Sequence, residues 1–191
     1  MKTARVDRQP VVTLFGDSIS AGYGLSTEEA LPARLEVELL ALGVSARVIG
    51  AGVDGDTTAL GLARLEAAVP DETDLCVVAL GANDMMQGLP PQQITVTLDR
   101  ILTAIRARSI DVLLCGMKAP PWLVSYAAAF DAVFPRVAAR HAVALYPFLL
   151  DGVALDPRYN QPDRIHPNAS GIQVIARRLA PAVRDALAGR S

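Results

Sequence analysis

The stretch Val11-Val12-Thr13-Leu14-Phe15 is an apolar run that leads directly into Gly16-Asp17-Ser18. It is the first of five short runs rich in apolar and β-branched residues, and the other four are Ala46–Ile49, Leu75–Leu80, Val112–Gly116 and Ala142–Tyr146. Short runs that are apolar throughout, without alternation, are typical of parallel strands buried on both faces. We therefore expect a five-stranded parallel sheet.

Longer segments with helical spacing separate these runs. Leucines recur at steps of three or four residues from Leu31 to Leu42, and further helices are expected over roughly 58–69, 92–108, 124–140 (interrupted or kinked near Pro135) and 169–188. Alternating strands and helices imply right-handed crossovers and helices on both faces of the sheet. The 191 residues are thus predicted to form one three-layer α/β/α domain, with residues 1–10 as a flexible N-terminal extension.

The composition argues against several classes of protein. Hydrophobic residues make up 51% of the chain, charged residues 20%, and the net charge is −2 without a basic stripe, so we expect no nucleic-acid partner. No apolar run reaches the ~18 residues of a membrane-spanning helix. Residues 1–10 do not resemble an export signal, which favours a cytoplasmic protein as given, or an exported one if a signal was trimmed. The oligomeric state stays open.

The cysteines and histidines do not suggest a metal centre. Cys76 and Cys115 lie within apolar, strand-like runs, where a thiol is usually a small buried hydrophobe. The only histidines are His141 and His166, and no cysteines cluster near them, so we expect neither a metal nor another cofactor. His141 falls near the end of a predicted helix, where a histidine usually interacts with the helix dipole.

Polar residues follow the predicted strands where ligands bind in open parallel sheets, at the carboxyl ends. Gly16-Asp17-Ser18 follows the first strand, and a glycine-rich stretch from Gly50 to Thr57 follows the second. Gly81-Ala82-Asn83-Asp84 follows the third strand, and Asp163-Arg164-Ile165-His166-Pro167 ends the long loop after the fifth. These four stretches are the candidate site.

Together the four stretches resemble the signature of the SGNH (GDSL) hydrolase family, a Ser, a Gly, an Asn and a His in four sequence blocks. The segments Gly16–Gly24 and Gly55-Asp56-Thr57-Thr58, with Gly61-Leu62-Ala63-Arg64-Leu65, are most similar to the bacterial thioesterase I/lysophospholipase/arylesterase branch. The resemblance covers nearly the whole chain. It implies a flavodoxin-like sheet of order 2-1-3-4-5 and activity on aryl esters or short- to medium-chain acyl esters, with lysophospholipids or acyl-CoA also within the class.

The chemistry of these residue types leads to the same site. A serine hydroxyl needs a base to remove its proton, so Ser18 is the candidate nucleophile and His166 the candidate base. Asp163 lies three residues before His166, a spacing that lets its carboxylate orient the imidazole. With the first strand between the second and third, the Ser18 N–H, the Gly55 N–H and the Asn83 amide can form an oxyanion hole. We interpret glycine at position 55 as allowing close approach of the backbone to the ligand.

Neighbouring residues receive simpler interpretations. Asp17 is expected to hydrogen bond within its turn, Gly52 to serve its turn and Asp84 to be an ordinary turn residue. The sequence does not decide between a role in an acyl pocket and ordinary packing or surface coverage for Met85, Met86, Leu89, Trp122 and Tyr159.

The predicted function is hydrolysis of a small-molecule carboxylic ester or thioester through an acyl-enzyme on Ser18. Two alternatives stay open at this point. A carbohydrate acetyl-esterase would use the same residues, and a non-catalytic flavodoxin-like module would bind a ligand at the same edge of the sheet without needing the serine hydroxyl.

Overall fold

The structure is a computed structural model that describes residues 8–189. Within them the strands are β1 (Val11–Gly16), β2 (Arg47–Gly52), β3 (Leu75–Ala79), β4 (Asp111–Cys115) and β5 (Ala144–Tyr146). All neighbouring strands pair in parallel, in the order β2-β1-β3-β4-β5. The predicted sheet and its strand order are confirmed.

Helices cover both faces of this sheet. They are α1 (Ser18–Ala21), α2 (Leu31–Ala41), α3 (Thr58–Ala68), α4 (Ala82–Met86), α5 (Pro91–Ala107), α6 (Val124–Asp131), α7 (Val133–His141) and α8 (Ala169–Ala188). Helices α2 and α8 pack together on one face, and α3, α5 and α7 form the other layer. The three-layer α/β/α architecture is therefore as expected. No helix among the described residues is long and apolar enough to cross a membrane.

The segment over 124–140, predicted to be interrupted or kinked near Pro135, is interrupted: it forms two helices, α6 and α7, with the break at Ala132. Pro135 lies in the first turn of α7. A proline has no N–H to donate and its ring excludes the carbonyl four residues earlier, that of Asp131, where α6 ends. The proline therefore breaks the helix instead of bending it.

Of the expected flexible extension over residues 1–10, residues 1–7 lie outside the described residues. From Arg8 the chain is attached to the sheet. The Arg8 guanidinium donates to the Glu72 carbonyl at 2.9 Å and to Asp74 Oδ1 at 2.8 Å. Pro10 accepts a hydrogen bond from the Arg47 N–H at 2.8 Å. Residues 8–10 thus contact the sheet ahead of the first strand, and the extension as a whole stays a prediction.

The register of the central strands brings the candidate site together. Gly16, the last residue of β1, lies beside Gly52 of β2 and Ala79 of β3. The three strands therefore end at the same height, and the segments that follow them begin at one edge of the sheet. Those loops pack closely: a Cβ on Gly16 would lie 2.6 Å from the Ala79 carbonyl oxygen, and one on Gly52 would lie 2.3 Å from the Ala21 nitrogen. Glycine at the strand ends is what allows this packing.

Candidate active site

Ser18 lies at the first position of α1, directly beyond the central strand β1. Asp17 caps this short helix, since its Oδ1 accepts a hydrogen bond from the Ile19 N–H at 3.1 Å. Ser18 is only 6% exposed, so this serine is buried at the carboxyl ends of the strands and does not lie on an open surface. The cap agrees with the turn role expected for Asp17.

The long loop between β5 and α8 returns to this serine. His166 Nε2 lies 3.1 Å from Ser18 Oγ, and His166 Nδ1 lies 2.7 Å from Asp163 Oδ2. The other carboxylate oxygen of Asp163 accepts the backbone N–H groups of Ile165 and His166, at 2.9 and 3.0 Å. The structure therefore brings together all three residues that the sequence predicted as a catalytic group, although 148 positions separate the serine from the histidine.

The Asp163 carboxylate is held in its charged form. The hydrogen bond with His166, followed by those from the two backbone N–H groups, lowers the pKa of Asp163 from 3.8 to about 2. A carboxylate accepts but does not donate, so this contact places a proton on Nδ1 and leaves Nε2 as the acceptor for the serine hydroxyl. That tautomer is the one a general base requires.

The predicted oxyanion donors lie on the loops that follow β2 and β3. Asn83 is almost buried in α4, and its Nδ2 donates to the Asp56 carbonyl at 2.9 Å; the same nitrogen carries a second hydrogen. Gly55 has φ +79°, and a Cβ there would meet no protein atom within 4 Å. This left-handed backbone disfavours other residues and is a second reason for glycine here, while the close approach to a ligand stays a prediction.

Asp84 has more than the ordinary turn role that the sequence suggested. It is buried, and its two carboxylate oxygens accept from the Thr58 N–H at 2.8 Å and the Thr58 hydroxyl at 2.6 Å. This contact joins α4 to the start of α3, and so fixes the loop with Asn83 to the loop with Gly55. The sequence around Asp84 gives no sign of this contact, because Thr58 lies 26 residues away.

Two further residues that the sequence analysis missed hold His166 in place. The Tyr23 ring packs against the imidazole, with 4.3 Å between ring centroids. The Gln161 side chain donates from Nε2 to the Tyr23 carbonyl at 2.8 Å and to the Pro167 carbonyl at 3.0 Å, and the Gln161 N–H donates to the His166 carbonyl at 2.8 Å. Gln161 therefore connects the histidine loop to the chain that follows the nucleophile.

Asp17 differs electrostatically from Asp163. Burial raises the pKa of Asp17 from 3.8 to about 7, partly offset by its bonds to backbone N–H groups and by nearby His166, while Asp56 raises it further. Its Oδ2 is buried without a hydrogen-bond partner. The residue directly before the candidate nucleophile is therefore an aspartate whose ionised form is disfavoured by burial.

The residues considered for an acyl pocket do not form one group. Met85, Leu89 and Tyr159 pack against the core, whereas Met86 and Trp122 are exposed. The Tyr126 hydroxyl donates to the Leu89 carbonyl at 2.8 Å, which ties the loop after α4 to α6. A role in substrate binding stays a prediction for all five.

The remaining histidine and the two cysteines lie away from Ser18. His141 ends α7, as expected, with Nε2 3.0 Å from Asp99 Oδ1. Cys76 and Cys115 are free thiols buried in β3 and β4. Between residues 8 and 189 there is no group of three or more His, Cys, Asp or Glu side chains with the spacing of a metal site.

A three-layer α/β/α fold with a hydrogen-bonded serine, histidine and aspartate at the carboxyl edge of its sheet has the construction of a serine hydrolase. A family model described as the GDSL-like Lipase/Acylhydrolase family matches residues 14–174. The chain belongs to this family, as its four sequence blocks predicted, and is an ester hydrolase of the SGNH type.

Individual relatives agree with this assignment. The chain is 42% identical over 154 residues to Esterase TesA of Pseudomonas aeruginosa, covering 80% of this chain and 77% of that protein. It is 36% identical over 176 residues to Thioesterase 1/protease 1/lysophospholipase L1 of Escherichia coli, covering 91% and 83%. The solved structure titled "Crystal Structure of TesA" superposes with a TM-score of 0.86 at 37% identity, over 93% of this chain and 99% of that one.

Proposed function

We propose that the protein hydrolyses carboxylic esters and thioesters through an acyl-enzyme formed on Ser18. The observation that carries the proposal is the continuous chain from Ser18 Oγ to His166 Nε2 at 3.1 Å and from His166 Nδ1 to Asp163 at 2.7 Å. These are hydrogen-bond distances for transferring the serine proton as the oxygen attacks an acyl carbon.

Each residue has one task in the proposed reaction. Ser18 Oγ bonds to the acyl carbon while His166 takes its proton, and His166 then returns that proton to the departing alcohol or thiol. Water attacks the acyl-enzyme by the same route, which releases the acid and restores Ser18. Asp163 keeps the imidazole in the required tautomer and stabilises the imidazolium.

The charge that develops on the acyl oxygen needs donors fixed before the reaction. The N–H groups of Ser18 and Gly55 and the Asn83 amide fill this role in the proposal. The supporting observation is that their strands end level at one edge, with α3 and α4 joined through Asp84.

Aryl esters and short- to medium-chain acyl esters are the proposed substrates. Relatives named as an arylesterase of Vibrio mimicus (35% identical over 169 residues), an esterase and a thioesterase/lysophospholipase support this range. Lysophospholipids and acyl-CoA belong to the same proposed class. The comparisons favour this activity over a carbohydrate acetyl-esterase or a non-catalytic binding module.

Labelling with a fluorophosphonate probe tests the nucleophile. We expect the native protein to be labelled and Ser18→Ala to be neither labelled nor active. The matched control is Ser20→Ala, which removes a hydroxyl from the same short helix, where Ser20 Oγ is buried and forms no hydrogen bond. We expect that variant to be labelled normally. Labelling and turnover that persist in Ser18→Ala would disprove the proposal.

The substrate class is tested with p-nitrophenyl esters from acetate to palmitate, acyl-CoA of matched chain length, and acetylated xylose. We expect turnover of the aryl esters and of short to medium acyl chains. A preference for acetylated xylose over every acyl chain would instead identify a carbohydrate acetyl-esterase.

A further inference from the structure

Arg64 lies on α3, away from Ser18 in sequence, and its guanidinium makes three contacts beneath the site. Its Nε donates to Asp56 Oδ2 at 2.6 Å, its Nη2 donates to the Gly16 carbonyl at 2.9 Å, and its Cζ lies 4.7 Å from the centre of the Phe15 ring. We infer that Arg64 is a positioning residue that holds the three oxyanion donors in register. This inference rests on the proposed function.

Each polar contact of the Arg64 guanidinium is with a residue close to one of the proposed oxyanion donors. Gly16 lies two residues before Ser18, and its carbonyl also accepts the Val53 N–H at 3.1 Å, where the loop that carries Gly55 begins. Arg64 therefore binds the same carbonyl oxygen that anchors this loop to the end of β1.

The second contact connects to the remaining donor. Asp56 follows Gly55 directly, so fixing its side chain fixes the peptide beside that glycine. The Asp56 carbonyl accepts the hydrogen bond from Asn83 Nδ2 at 2.9 Å. One guanidinium thus restrains the residues adjacent to Ser18 and Gly55, and through Asp56 it also restrains the Asn83 amide.

The loop from Val53 to Thr57 needs such a restraint. Val53, Asp54 and Gly55 are exposed, and a Cβ on Gly55 would meet no protein atom, so the first half of this loop has little packing, whereas Asp56 and Thr57 are buried. Stabilisation of an oxyanion depends on donors that are fixed beforehand, and a displacement near 1 Å can cost about 100-fold in rate. Loss of the restraint is therefore expected to slow the reaction more than it weakens substrate binding.

Arg64 acts through geometry and not through its net charge, because the nearby Asp56 carboxylate compensates it. A planar guanidinium donates in two directions at once, to a carboxylate and to a carbonyl, whereas a lysine ammonium is a single point of charge. Arg64→Lys keeps the positive charge and an aliphatic stem but loses the planar fork, so it separates the two explanations.

The molecule contains a matched control at the opposite edge of the sheet. Arg108 Nη2 also bridges a backbone carbonyl and a carboxylate, the Val69 oxygen at 2.5 Å and Asp71 Oδ1 at 2.6 Å. The side chains of Arg108 and Arg64 are 26% and 23% exposed. Arg108→Leu therefore removes a similar set of contacts far from Ser18.

The first experiment compares kcat, KM and melting temperature on p-nitrophenyl butyrate, together with inhibition by a boronic acid that forms a tetrahedral adduct on serine. For Arg64→Leu we expect kcat to fall roughly 10- to 100-fold, KM to stay within about twofold, and boronate affinity to fall in parallel with kcat. Arg64→Lys should lose at least about fivefold in kcat, and Arg108→Leu should stay within about twofold. Full activity of Arg64→Lys, or equal losses at Arg64 and Arg108, would overturn the inference.

A double-mutant comparison tests the route of the effect. If Arg64 acts through the oxyanion donors, its loss should lower kcat by a smaller factor in an Asn83→Ala background than in the native protein, because residues that act as a unit are not additive. If the kcat losses from the Arg64 and Asn83 substitutions simply multiply in the double mutant, Arg64 does not act through the oxyanion donors. Arg64→Lys, which is less disruptive, is used for the same cycle if Arg64→Leu does not fold. Activity that survives Ser18→Ala would refute the proposed function itself and is distinguishable from either result.

Discussion

The two sides of the candidate active site are built differently. On the nucleophile side, Ser18 and Asn83 are almost buried and follow central strands whose ends are fixed by the sheet register. On the base side, Asp163 is 38% exposed and lies with His166 in a long loop whose bonds are mostly local. The folded core therefore positions the nucleophile, and a few polar bonds position the base. Substitutions on the two sides should separate effects on stability from effects on activity.

Two aspartates show the contrast most clearly. Asp17 and Asp163 each accept the N–H of the residue two positions later, Ile19 and Ile165. Burial raises the pKa of Asp17 to about 7, whereas the hydrogen bond with His166 lowers the pKa of Asp163 to about 2. The same backbone contact thus accompanies an aspartate whose ionisation burial disfavours, Asp17, and one that is charged near neutral pH, Asp163.

The largest effect is expected for Asp163→Asn. An asparagine can keep the backbone bonds but offers an N–H to Nδ1, which favours the wrong imidazole tautomer, so kcat should fall about 100- to 1,000-fold. The melting temperature should change little, because the side chain is partly exposed. Steady-state kinetics and thermal unfolding measure the two quantities.

Asp156→Asn is the control for that variant. Asp156 lies in the same loop, bonds to the N–H two residues later, and its pKa is lowered to about 2 by its hydrogen bonds with Arg158. It has no contact with His166 among its hydrogen bonds, so activity should stay within about twofold. Retention of more than a tenth of the activity by Asp163→Asn would remove Asp163 from the proposed mechanism.

The second prediction concerns stability on the nucleophile side. Because the pKa of Asp17 is higher in the folded state than in the unfolded chain, the folded protein keeps a proton between about pH 4 and 7 that the unfolded chain has lost. Asp17 therefore lowers the free energy of unfolding as the pH rises through this window. Asp17→Asn removes this dependence, so its stability relative to the native protein should rise by about 2 kcal/mol between pH 5 and 8.

Urea unfolding at the two pH values measures this difference. Asp54→Asn, an exposed substitution in a neighbouring loop, serves as the control and should track the native protein at both pH values. If native protein and Asp17→Asn change in parallel from pH 5 to 8, the buried carboxyl does not titrate as the structure implies.

The sequence predicted the sheet and the juxtaposition of Ser18, His166 and Asp163 at one edge, because strand periodicity and the position of Ser18 after a strand are local signals. It did not predict the bond from Arg64 to the Gly16 carbonyl or the bonds from Thr58 to Asp84, since these partners lie 48 and 26 residues apart. The interruption predicted near Pro135 lies at Ala132, because a proline excludes the carbonyl four residues earlier, that of Asp131. Local chemistry can be predicted from sequence, whereas bonds between loops depend on the finished fold.

The smallest effect is expected for Gln161→Leu, on the base side. This change removes the two side-chain bonds to Tyr23 and Pro167 but leaves the backbone bond to His166, so the loop should loosen without unfolding. We expect kcat to fall about tenfold, and amide hydrogen exchange to rise in residues 161–168 and not in β1. Gln173→Leu, an exposed glutamine on α8, should change neither quantity. Faster exchange in β1 as well would show that the base loop is part of the core's cooperative unit, and the two sides would then not be separable.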